Sequence, residues 1–179
     1  MRILLILILS LMLVSVSLAK EESLIMGPYK VSFDLNTTQK YSINNTIPVE
    51  YGETYGGIPY VVYRTIISAK NDSAAIYVNY FANKMNTNND KTKSEIRDSS
   101  SSWFFDFDIY DRIIDGQSGV LGVGESDRLG GSVFDAIYWS AFNTTGDTKV
   151  KITSFLPWEN GTLSLLKTIH VEMVGKPPI

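Results

Sequence analysis

Apolar and polar residues alternate along much of this chain, and that pattern constrains its fold more than any other feature. In Tyr29 to Leu35, Tyr29, Val31, Phe33 and Leu35 fall on one side and Lys30, Ser32 and Asp34 on the other. Such a period of two describes a strand with one buried face. Tyr60 to Ala69 and Ala74 to Phe81 read as a hairpin across the turn 70–73, the first strand apolar on both faces and therefore central or covered by a helix. Trp103 to Ile109, Val120 to Gly124, Val133 to Phe142 and Thr148 to Leu156 read as further strands, divided by turns at 115–119, 126–131 and 143–147. Tyr41 to Asn45 predicts a short strand, and Ile169, Val171 and Met173 a last one. Short turns rather than helical crossovers join these runs, which favours antiparallel pairing. The fold class expected is α+β and β-rich: an antiparallel sheet of about seven or eight strands with one or two short helices.

The helical signal is thin. Thr162 to Lys167 places leucines at 163, 165 and 166 and predicts one or two turns capped near Asn160. Residues 83–102 are polar, with Met85 and Ile96 the apolar exceptions, and read as a mobile loop with a weak helical signal at Lys93 to Asp98. Pro48 to Pro59, carrying Gly52, Gly56 and Gly57, reads as a glycine-hinged loop.

The chain has 179 residues, which suits a single domain. Met1-Arg2, the apolar run 3–16 and the small residues Ser17 and Ala19 have the layout of a secretory signal. Residues 1–19 are expected to be a signal peptide or an uncleaved N-terminal anchor. Residues 20–176 then form one extracytoplasmic domain, secreted or held at the cell surface. There is no cysteine, so disulfides, thiolate metal sites and cysteine nucleophiles are excluded. An exported domain without disulfides holds together by packing alone, for which 44% apolar and 12% aromatic content supply the material. The net charge is −3 with no basic patch, which argues against nucleic acid as a partner. Membrane contact is expected only through an uncleaved N-terminal segment. Asn-x-Ser/Thr occurs at Asn36, Asn44, Asn71, Asn143 and Asn160, five candidate glycosylation sites.

The runs GPYKVSFDL, YGGIPYVVYRTIIS, IDGQSGVLG and ITSFLPWENGTLSLLKTIHVEM resemble small secreted proteins of methanogenic archaea. That resemblance spans most of residues 20–179 and implies an archaeal exporter and N-glycosylation. It implies no activity, substrate or catalytic residue. The element layout is also similar to the α/β sandwich of PsbP-like proteins, at the level of topology only.

Chemistry-bearing residues concentrate between Trp103 and Gly124. Asp106, Asp108, Asp111 and Asp115 form the main carboxylate cluster. Asp106 and Asp108 on one strand face stand about 7 Å apart, a spacing suited to Ca²⁺ or to an acid–base pair. The competing reading is a solvated strand face followed by an Asp-Gly turn, and an EF-hand loop does not fit. The glycines at 116, 119, 122 and 124 read as a loosened hairpin rather than a phosphate cradle, because no helix opens after them. His170, the only histidine, reads as a solvated surface residue. Tyr51, Tyr55 and Tyr60, with Trp103 and Trp139, are candidate binding aromatics. The leading functional expectation is a non-enzymatic binding module for a cell-surface protein or carbohydrate, with no cofactor other than a Ca²⁺ ion. The alternatives are a carboxylate-dependent hydrolase and a structural component of the cell envelope.

Overall fold

The computed structural model describes residues 21–70, 73–103, 107–126, 131–142, 144–154 and 159–179. These form eleven strands and two helices. The strands are β1 (Glu21–Met26), β2 (Tyr29–Asp34), β3 (Tyr41–Asn44), β4 (Glu50–Glu53), β5 (Pro59–Ala69), β6 (Ser73–Phe81), β7 (Phe107–Ile114), β8 (Gln117–Ser126), β9 (Gly131–Ser140), β10 (Asp147–Ser154) and β11 (His170–Met173). The helices are α1 (Asn89–Trp103) and α2 (Glu159–Thr168).

The strands divide between two antiparallel sheets. One has three strands in the order β1-β2-β11. The other has eight in the order β3-β5-β6-β10-β9-β8-β7, with β4 also paired to β5. The strands β7 to β10 run as a meander whose last member inserts beside β6, which closes the large sheet around the expected β5–β6 hairpin.

Alternation decides what each face buries. Tyr29, Val31 and Phe33 of β2 point inward and pack on Val61, Tyr63, Ile76, Val78, Tyr138, Val150 and Ile152 of the large sheet. Tyr29 is the central pillar: its hydroxyl lies 2.8 Å from Thr148 Oγ1 and its ring meets Tyr63 edge-on at 6.0 Å. Full burial of such a ring contributes on the order of 2–3 kcal/mol, and the hydrogen bond keeps its polar end satisfied. Burial pushes the Tyr29 phenol up to about 12. Helix α2 adds Leu165 and Leu166 to this core, and Ser164 and Thr168 each donate a hydroxyl to the Asp34 carbonyl.

The opposite face of the large sheet carries α1, which from Asn89 on replaces the mobile loop expected for 83–102 and leaves only 83–88 as loop. Apolar periodicity is weak there, and the helix is held by other means. Asn88 caps it, its Oδ1 accepting from Lys91 N at 2.9 Å. Ile96 is its buried anchor, packed with Val120 and Ile137. Lys93 bonds Asp111 at 2.7 Å and Glu95 bonds Lys149 at 2.8 Å, so one ion pair grips each flank. Trp103 ends this helix rather than opening a strand, and β7 begins at Phe107. The glycine-hinged segment 48–59 likewise contains a strand, β4.

Candidate functional site

The aspartate cluster occupies the β7–β8 hairpin, where side chains alternate between faces. Asp108 is in register with Val123 and Asp111 with Val120, and these partners lie on opposite faces. Asp106 lies outside the described residues. Asp111 accepts from Lys93 Nζ at 2.7 Å and Asn89 Nδ2 at 2.9 Å. The Lys93 hydrogen bond, with that of Asn89, holds the Asp111 carboxyl below its ordinary range. Asp115 sits in the two-residue turn at φ 52, followed by Gly116 at φ 69, the paired positive angles of a type I′ hairpin. The three described aspartates therefore do not converge. Among the described residues no three His, Asp or Glu side chains are grouped to hold a metal.

Asp115 does something the sequence reading did not anticipate. Its Oδ2 accepts from the Tyr138 hydroxyl and from Val171 N, each at 2.9 Å. Its Oδ1 lies 2.8 Å from His170 Nδ1. One carboxylate thus ties the tip of the large sheet to the last strand of the small one. Tyr138 is fully buried, and that burial, with the charge of Asp115, pushes its phenol far above the ordinary value. His170 is exposed, 61% by side chain, as expected, but it is oriented by a carboxylate rather than free. The residues are 55 apart in sequence, and no local pattern announces the contact.

A second charged group lies under α1. Asp135 is buried and pairs with Lys151 at 2.9 Å. Desolvation raises its carboxyl pKa against the pull of Lys151. Beside it, Lys149 stands 5.6 Å from the Trp139 ring centre and 5.9 Å from that of Phe81, which also stacks on Tyr60. Trp139 is therefore part of an aromatic row that runs through Phe81 to Tyr60, fastened by a cation and the Glu95 bridge, on the face opposite to Tyr51.

Tyr51, Tyr55 and Tyr60 belong to the β4–β5 hairpin. Tyr51 is in register with Val61 and Tyr60 with Gly52, so the two rings leave opposite faces. The Tyr60 ring packs over Gly52, where a Cβ would meet its ring and hydroxyl at 2.6 Å and push the ring aside. The tip is a tight, bonded turn. Gly57 N donates to Thr54 O at 2.9 Å, Thr54 N to Ile58 O at 2.9 Å, and Ile58 N to Thr54 Oγ1 at 3.1 Å. Gly57 takes φ 72, a left-handed angle that side chains rarely adopt. Tyr55 projects from this turn fully exposed, with Tyr51 66% exposed and Val49 41% on the same arm. The side chain of Trp103 lies outside the described residues. The tyrosine arm and the β7–β8 hairpin do not form one surface: β4 and β7 lie toward opposite ends of the large sheet, with β5, β6, β10, β9 and β8 between them.

Asn36 and Asn44 are exposed. Asn71 and Asn143, and the side chain of Asn160, lie outside the described residues. Among the described residues no helix is long and apolar enough to cross a membrane. Comparison with protein-family models, with curated proteins and with solved structures finds no match.

Proposed function

We propose that this chain is an exported, non-enzymatic binding module that presents the tyrosine arm of the β4–β5 hairpin to a protein or carbohydrate at the cell surface. One observation carries the reading: Tyr55 is fully exposed on a turn fixed by three hydrogen bonds, with Tyr51 exposed on the strand that leads into it. Tyrosine offers a large contact area with few rotatable bonds and a polar tip, so a pre-shaped arm carrying two of them loses little entropy on binding. Rings left this open contribute little to folding, so removing them leaves the fold intact. The signal-like residues 1–19 support export, and the exposed Asn36 and Asn44 are open to a glycosyltransferase. The test is a screen of the protein against immobilised glycans and cell-surface proteins, repeated with Tyr51→Ala/Tyr55→Ala. Hits that the double variant loses while its melting temperature holds support the reading. Hits retained in full by the variant overturn it.

A second reading, a carboxylate-dependent hydrolase, is favoured by the Asp115–His170 pair. A carboxylate at 2.8 Å from Nδ1 orients the ring and leaves Nε2 as the candidate base. Ser32 is the register partner of His170 on β2. Hydrolysis of ester or phosphoester probes that His170→Gln abolishes would support this reading; turnover unchanged by that substitution would remove it.

A further inference from the structure

Two-sheet domains must deal with their edges, and this one deals with them unequally. Strands β3 and β4, at one end of the large sheet, have four residues each. Strand β7, at the other end, has eight and pairs only with β8 among the described residues. Its outward backbone groups form a template for another strand. Tyr110 is 52% exposed and Ile113 67% exposed along this edge. Asp108 and Arg112 are exposed too, and neither has a side-chain partner among the described residues.

The hairpin geometry says which backbone groups point out. Ile114 and Gln117 flank a two-residue loop, so they form a hydrogen-bonded pair. Counting back along the ladder, the even-numbered residues of β7 bond β8. The odd-numbered residues 107, 109, 111 and 113 therefore aim their N–H and C=O groups outward. An antiparallel copy of β7 must pair odd with odd and even with even, which leaves few registers. Centring on Asp111 or on Arg112 sets like charges face to face. Centring on Tyr110 sets Tyr110 against its own copy and Asp108 against Arg112 twice on one face. On the other face it sets Phe107 against Ile113 twice, with Ile109 opposite Asp111 between them, where Asp111 is already held by Lys93 and Asn89 of its own chain.

We infer that β7 is a self-association edge, and that two copies of this chain join antiparallel through it about a two-fold axis at Tyr110. The partner is a second copy because this edge is complementary to itself in charge and in apolar contact, as a two-fold interface requires. Helix α1 fits the same arrangement. It packs on both β7 and β8, so two copies of it lie about two strand spacings apart, roughly 10 Å, a normal distance for packed helices. The small sheet does not obstruct the seam, since Asp108, Tyr110 and Arg112 on its side of β7 are exposed. The dimer carries a continuous sheet of sixteen strands, twice the eight of one copy. Its two tyrosine arms lie toward opposite ends, a bivalent layout. The inference stands independently of what those arms bind.

Because the chain has no cysteine, introduced thiols report the register directly. Opposed residues in a non-hydrogen-bonded pair have Cα atoms about 4.5 Å apart, within disulfide reach. In the full chain under mild oxidation, Tyr110→Cys should link to itself. Asp108→Cys and Arg112→Cys should each stay unlinked alone and link when mixed. Sedimentation of the unmodified protein should show a dimer. Asp108→Arg should weaken it at least tenfold, and Asp108→Arg/Arg112→Asp should restore it. A wild-type monomer at millimolar concentration overturns the inference, even if β7 then accepts a strand from another protein. So does Asp108→Cys linking to itself as readily as Tyr110→Cys.

Discussion

Replacing Asp115 tests how the two sheets are held together, because its carboxylate serves both. In Asp115→Ala the buried Tyr138 hydroxyl and Val171 N both lose their acceptor. An unsatisfied buried donor costs about 1–3 kcal/mol. Alanine must also take the φ of 52 that Asp115 holds, which adds about 1 kcal/mol. The expected loss is about 3–7 kcal/mol, a fall of roughly 6–28 °C in melting temperature for a domain of this size. Asp115→Asn is the informative contrast. Asparagine tolerates the left-handed turn, its Oδ1 accepts from Tyr138 and Val171 N, and its amide donates to a neutral His170. That variant should lose only about 1 kcal/mol, and Tyr138→Phe a similar amount, since Val171 N keeps its acceptor. Urea unfolding of the three variants, fitted with a common slope, gives the comparison. If Asp115→Ala lies within about 1 kcal/mol of wild type, the carboxylate does not hold the sheets. If Asp115→Asn is as damaging as Asp115→Ala, charge rather than acceptor geometry holds them.

Acid should weaken the fold through Asp111 and Glu172, whose carboxyls are held below 3.8 and 4.5 by hydrogen bonds from Lys93 and Lys30. Their contribution is present above those unfolded-chain values and is lost as pH falls through the lower folded ones. In Asp111→Asn the stability curve should therefore fall less steeply on the acid side, and a curve parallel to wild type would contradict this. Gly119→Ala should cost at least about 2 kcal/mol, because its Cβ would sit 2.7 Å from the Ile137 carbonyl and 2.9 Å from Tyr138 Cβ. Gly116→Ala, with open space around it, should cost only the strain of φ 69, about 1 kcal/mol; equal losses in thermal melts would refute the packing argument. Lys149→Met should loosen α1 by stranding Glu95, seen as faster amide exchange in residues 92–99 with β5 and β6 unchanged.

Period-two alternation carried most of the strand pattern, because it reports burial, and burial is what a sheet on a core produces. Tyr29, Val31 and Phe33 of β2, and the β5–β6 hairpin, were legible for that reason. Helix α1 was legible only as a weak signal at Lys93 to Asp98, well short of Asn89–Trp103, since its stability comes from contacts distant in sequence. Lys93 meets Asp111 and Glu95 meets Lys149, while Ile96 is its buried apolar anchor. Asn88 caps the helix through Lys91 N, a contact that the polar composition of the segment did not single out. Strand β1 shows the same limit. Its sequence, EESLIM, does not alternate although its burial does, and it exists because β2 gives it a pairing partner. Asp108, Asp111 and Asp115 lie on one hairpin with an Asp-Gly turn, as the pattern indicated, but which of them mattered was decided by residues 138, 170 and 171 arriving from elsewhere. The tyrosines were likewise marked from composition. Only strand register shows that Tyr51 and Tyr60 leave opposite faces and that Tyr55 stands alone at the tip.

The proposed contact surface of this protein is the tyrosine arm. Amide exchange measured on the protein free and bound to isolated cell envelope addresses it directly. Protection should appear at residues 50–58 and vanish with Tyr51→Ala/Tyr55→Ala, whose free-state exchange should match wild type elsewhere. Protection confined to other segments, or unchanged in the double variant, would contradict the claim.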